Sequence, residues 1–167
     1  MIGYVTVGTN DIARAARFYD PIAAELGTGR MMEFDNFIAW GTMNGPAGIA
    51  ATKPFDGNPA SVGNGVMVAL EAKDRAQVDR IHALALANGG TCEGPPGPRG
   101  DSGFYAGYFR DPDGNKLKAF VMGKARPGVA TRLATATPVS AKARSQRRSA
   151  ATSHTVAASP GARCQPC

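Results

Sequence analysis

The chain has 167 residues and carries 19 Lys and Arg against 13 Asp and Glu, a formal charge of +6. The excess is local: seven of the basic residues and none of the acidic ones lie beyond Lys124, leaving 12 against 13 in residues 1–124. A near-neutral body argues against a nucleic-acid-binding domain, whose basic face would lie on folded structure, and the short apolar runs fall far below the ~20 residues of a membrane span.

The opening Met1–Val7 has no basic n-region and goes straight into strand alternation, so it reads as the first strand (2–8) and not as a secretory signal. An amphipathic helix follows over 10–26, with Ile12, Ala15, Phe18, Ile22 and Leu26 along one face. Pro21 is expected to kink it or split off its last turn, and Gly27 to stop it. Three short strands come next, at about 29–34, 36–42 and 47–53, with a turn at Asn44-Gly45. A polar loop leads to a strand over 65–72. The second helix, 74–88, opens with a capping-box pattern at Asp74 and Gln77 and closes at Gly89-Gly90. The last strands fall at about 91–94, 103–110 and 115–122, the final pair turned by Asp113-Gly114. Residues 94–103, rich in Pro and Gly, read as a loop. Residues 125–167 are rich in Ala, Ser, Thr, Arg and Pro and lack aromatics, so they are expected to form a disordered basic tail. A role for that tail as an arm for nucleic acid or an anionic surface is the alternative. Cys92, Cys164 and Cys167 make an odd count with no disulfide framework, which points to a reducing, cytoplasmic setting.

The order is strand, helix, three strands, twice over. A shift of 63 residues maps Asp11 on Asp74, Phe18 on Ile81 and Gly27 on Gly90. The expected fold is α+β: two βαβββ modules forming an open eight-stranded mixed sheet, helices on one face and a concave cleft on the other.

The paired unit, the opening Val5–Asp11, Phe18-Tyr19 in the first helix and above all Phe109-Arg110-Asp111-Pro112-Asp113-Gly114-Asn115 resemble the vicinal oxygen chelate superfamily. That group includes glyoxalase I, extradiol dioxygenases and bleomycin-resistance proteins. The resemblance covers about 1–123. It implies lyase or dioxygenase chemistry, or sequestration of a small molecule, in a homodimer. It also implies a divalent metal held in the cleft by two side chains from each module. The corresponding positions here are Tyr4, the stretch 47–53, Met67 and Lys118, and none offers an imidazole or a carboxylate. A lysine beside a divalent ion would repel it. No cofactor is therefore expected.

What remains is a small-molecule site. Strand alternation turns Tyr4, Met67 and Lys118 into the cleft, with Trp40, Tyr105 and Phe109 as candidate walls. Lys118 suits an anionic or carbonyl-bearing ligand, or acts as a base or nucleophile if desolvated. Tyr4 suits a donor or general acid. Arg99, in the loop before the seventh strand, is placed to fold over the cleft and meet an acidic ligand. Asp111–Gly114 has the beginning of a calcium loop but lacks its later ligands, and a hairpin turn accounts for it. The reading is a metal-independent small-molecule-binding protein of glyoxalase or bleomycin-resistance type, with a lyase or dioxygenase as the alternative.

Overall fold

The structure, a computed structural model, describes residues 2–123; the tail expected over 125–167 lies outside the described residues. The elements run β1 (Tyr4–Gly8), α1 (Ile12–Glu25), β2 (Gly29–Phe34), β3 (Phe37–Gly41), β4 (Gly48–Thr52), β5 (Val68–Glu71), α2 (Arg75–Ala87), β6 (Thr91–Pro98), β7 (Phe104–Arg110) and β8 (Lys116–Met122). The two βαβββ modules are thus present. Their strands form two four-stranded mixed sheets, ordered β1-β4-β3-β2 and β5-β8-β7-β6. In each module the first strand runs parallel to the last, the pairing that a crossover helix permits, and the remaining pairs are antiparallel.

Both helices begin and end for identifiable reasons. Asp11 caps α1 by accepting from the Arg14 N–H at 2.9 Å, and Asp74 caps α2 by accepting from the Gln77 N–H at 2.7 Å. Each ends in a Schellman motif. Gly27 and Gly89 take positive φ, and the next residues, Thr28 and Gly90, donate back to Ala23 and Ala85. α1 is continuous through Pro21, so the expected split does not occur. The carbonyl that loses its donor to Pro21 belongs to Arg17, an exposed residue of the helix.

One face of each sheet packs on the helices. Val7, Ile38, Trp40, Ile49 and Ala51 of the first module meet Phe109, Leu117 and Ala119 of the second in a single core with Phe18, Tyr19, Ile22, Val78 and Ile81. By alternation Tyr4, Thr6 and Ala50 lie on the helix-free face of the first sheet, and Tyr108, Lys118 and Phe120 on that of the second. β6 runs through Pro95, Pro96 and Pro98, further than the composition suggested. It is an edge strand with two register shifts, where a missing N–H costs no ladder bond and also blunts the edge.

The modules are joined by the β7–β8 hairpin. The Asp111 carboxylate is buried and accepts four hydrogen bonds: from the N–H groups of Asp113 and Asn115, from the Asn115 side chain, and from the Tyr19 hydroxyl at 2.7 Å. Asp113 accepts from the Thr9 hydroxyl, the Asn10 N–H and the Arg14 guanidinium, the last at 2.6 Å. Asn115 donates to the Gly8 carbonyl. Burial pushes the Asp111 carboxyl above its ordinary range and the Tyr19 phenol well above its own. The Asp-Pro-Asp-Gly-Asn sequence is therefore a clasp between the modules, and its carboxylates are occupied by protein donors.

Candidate functional site

β7 and β8 build the site. Asp111 to Asn115 turns the hairpin so that Arg110 faces Lys116 across the ladder; Tyr108 then faces Lys118, Ala106 faces Phe120, and Phe104 faces Met122. All of these lie on the helix-free face, because the intervening residues Tyr105, Phe109, Leu117, Ala119 and Val121 pack toward the core.

Lys118 extends along this face with Nζ 4.9 Å from the centre of the Phe104 ring and 5.2 Å from that of Phe120. Arg99 follows the end of β6. Its N–H donates to the Phe104 carbonyl, closing the β6–β7 turn, and its guanidinium folds back over the sheet. There it donates to the Pro95 carbonyl at 2.8 Å and lies 5.3 Å from the centre of the Tyr108 ring. Lys116 approaches the same ring at 5.9 Å. Tyr108 thus has two cations at its ring, Arg99 and Lys116. Lys116 and Arg110 are both bound to Glu93, whose carboxyl they hold below the usual range, Lys116 first. No carboxylate pairs with Lys118 or Arg99 among the described residues.

The other expected residues divide. Tyr4 lies on the helix-free face of the first sheet, exposed, with its ring edge-on to Phe37 at 5.9 Å. Met67 precedes β5 and lines an open depression of about 570 Å³ with Val62, Val66, Arg110 and Lys116. No contact joins Tyr4 to Lys118: they lie in different sheets. Trp40, Tyr105 and Phe109 belong to the opposite face, a correction to their assignment as cleft walls. Trp40 is buried against Tyr19 and donates its indole N–H to Asp20 at 2.7 Å. Phe109 is buried against Phe18 and His82. Tyr105 donates to Asp79 of α2. Each sits one residue out of phase with the strand positions that face the cleft. The aromatic walls beside Lys118 are instead Phe104, Tyr108 and Phe120, which sequence reasoning passed over. A two-residue turn at Asp113-Gly114 would set Lys118 opposite Phe109; the turn in fact spans Pro112–Gly114, closed by Asp111 and Asn115, and this one-residue difference makes Tyr108 the cross-strand neighbour.

At the family's metal positions the donor set does not fit a divalent ion. The first sheet presents Tyr4 and Thr6 beside Gly48 and Ala50, and the second Lys118 beside Ala69. Among the described residues no group of three His, Cys, Asp or Glu side chains is placed to hold a metal. His82 is on α2, away from this face, and burial holds its imidazole below its ordinary pKa.

Two modules of this topology, clasped through the last hairpin and leaving one sheet face free of helices, define a class of cleft-forming protein. The chain belongs to the Glyoxalase/Bleomycin resistance protein/Dioxygenase superfamily, whose model matches residues 1–118. It is similar to the crystal structure of a glyoxalase/bleomycin resistance protein from Albidiferax ferrireducens, at 37% identity over 74% of this chain and 99% of that one, with a TM-score of 0.68. The same fold occurs in a glyoxalase-related enzyme from Fulvimarina pelagi, at 20% identity over 72% of this chain and 87% of that one, TM-score 0.58. It also occurs in a lactoylglutathione lyase from Agrobacterium tumefaciens, at 19% identity over 72% and 92%, TM-score 0.52. No curated protein matches the sequence. Among the described residues no helix is long and apolar enough to cross a membrane.

Proposed function

We propose that the protein binds a small aromatic anion on the helix-free face of its second module, as a metal-independent member of the superfamily acting by sequestration. The observation that carries this reading is the pair of cations without carboxylate partners among the described residues, Lys118 and Arg99, held over the rings of Phe104, Phe120 and Tyr108. A cation over aromatic rings keeps N–H donors for an incoming carboxylate or phosphate, Arg99 having given one of its five to the Pro95 carbonyl, and the rings supply the apolar contact. Arg99 offers a planar fork suited to bidentate recognition, and Lys118 a mobile point charge. Tyr4, on the other sheet, would contribute a phenolic donor once a ligand or a second subunit spans the two faces. The family resemblance supports a homodimer, and the odd cysteine count a reducing, cytoplasmic setting.

An enzyme reading is supported only by the names of relatives, and by Lys118 as a nucleophile or base. Two cations without carboxylate partners among the described residues, set against aromatic rings, match the charge and shape of an aromatic anion, which favours the binding reading. Titration calorimetry with benzoate, phenyl phosphate and the neutral isostere benzamide tests the proposal. The anions are expected to bind saturably, and benzamide at least tenfold more weakly. Equal affinity for benzamide, or no binding by either anion, overturns it.

A further inference from the structure

The internal repeat makes the β3–β4 hairpin the counterpart of the β7–β8 clasp. The second hairpin closes on the first module through Asp111, Asp113 and Asn115. The first, Thr42–Ala47, makes no such closure among the described residues. Its hydrogen bonds stay within its own module: Gly45 donates to Thr42, the Thr42 hydroxyl meets that of Thr28, and Gly48 donates to the Gly3 carbonyl. Between this hairpin and the start of the second module the molecule stays open. A vestibule lined by Thr42, Pro46, Ala47, Glu71 and Lys73 leads inward. Sharing Leu26, Ala47, Ala69 and Leu70 with it is a deeper cavity of about 140 Å³, walled by Val5, Ile22, Trp40, Ile49 and Val68.

The deeper cavity is mostly apolar; Thr28 also lines it, with its hydroxyl shared with that of Thr42. Tyr19 and Trp40 both line it, but the Tyr19 hydroxyl is bound to Asp111 and the Trp40 indole N–H to Asp20. The buried side-chain polar atoms lacking partners among the described residues, Arg14 Nε and His82 Nε2, belong to residues that do not line it. An apolar cavity of roughly 150 Å³ stays dry and admits benzene. We infer that this seam between the modules is a second small-molecule site. It would take a compact apolar body of one-ring size whose polar substituent points toward Glu71, Lys73 and Thr42. The site lies on the helix side of the sheets, so it is separate from the anion-binding face proposed above and stands without it.

Trp40 is the only tryptophan of the chain, so its emission reports the cavity directly. Titration of the full chain with toluene is expected to change that emission saturably. Toluene should also raise Tm, by about 5 °C at ten times Kd. Ala23→Leu and Val68→Phe each place added carbon in the cavity, and each is expected to abolish the toluene response in a chain that remains folded by circular dichroism. Lys118→Met is expected to leave the response unchanged. Absence of a saturable response in the unmodified chain overturns the inference, and so does loss of the response in Lys118→Met. A response that survives in a folded cavity-filling variant also overturns it.

Discussion

Replacing Tyr19 with Phe isolates the clasp between the modules. The ring is fully buried, packed between Phe18 and Trp40, so Phe fills the same space and only the hydroxyl is lost. That hydroxyl donates at 2.7 Å to Asp111, a buried carboxylate with three other donors and, among the described residues, no cation paired with it. Hydrogen bonds to charged groups contribute about 1.5–3 kcal/mol, and burial puts this one toward the upper part of that range. For a domain of this size about 2–3 kcal/mol corresponds to a fall in Tm of roughly 6–12 °C. Urea unfolding followed through Trp40 emission measures it, with the midpoint falling and the slope unchanged. In a double-mutant cycle, Asp111→Asn should remove most of the effect of Tyr19→Phe. A midpoint shift worth less than about 0.5 kcal/mol would refute the claim that this bond holds the modules together.

A Cβ at Gly90 would lie 2.6 Å from the Arg110 carbonyl, 2.8 Å from that of Ala85 and 2.9 Å from Phe18, so Gly90→Ala should destabilise by about 2 kcal/mol or more in urea unfolding. Arg30 and the Trp40 indole hold the Asp20 carboxyl below its usual range, Arg30 first, so Arg30→Gln should raise the Asp20 pKa toward the ordinary carboxylate value in a carboxyl-carbon NMR titration. The sign extends to stability. A depressed carboxyl contributes above its unfolded pKa and loses that contribution as pH falls through its folded pKa, so the variant should show a weaker loss of stability on acidification. Lys118→Met should weaken benzoate binding by about tenfold or more in calorimetry, consistent with loss of one charge-assisted hydrogen bond.

Much of this molecule was legible in its residues because local signals agreed with one another. Asp11 and Asp74 mark the helix starts, Gly27 and Gly89 the ends, and period-2 alternation the strands between them. Strand limits slipped where tertiary context decided. Gly65 takes a positive φ in a turn, so β5 starts only at Val68. β6 continues through prolines because it has an unpaired edge. The site was half legible. The face of Lys118 follows from alternation, but Trp40, Tyr105 and Phe109, expected as walls, are large aromatics of the kind a core takes first. The cross-strand register, not aromatic content, identifies Phe104, Tyr108 and Phe120. The motif that carries the family resemblance proved to be architectural: its two aspartates are bound to Tyr19, Thr9, Asn10 and Arg14 and have no capacity left for a ligand at the other face.

The central claim is that a small anion binds this superfamily member through Lys118 and Arg99 without a metal. The direct measurement is the benzoate Kd of the full chain after passage over chelating resin, compared with the Kd after addition of zinc, nickel, manganese or ferrous iron. The same Kd is expected in every case. Binding that disappears on metal removal and returns with one of these ions would contradict it, and would mean that the cleft coordinates a metal through donors other than the residues at the four family positions.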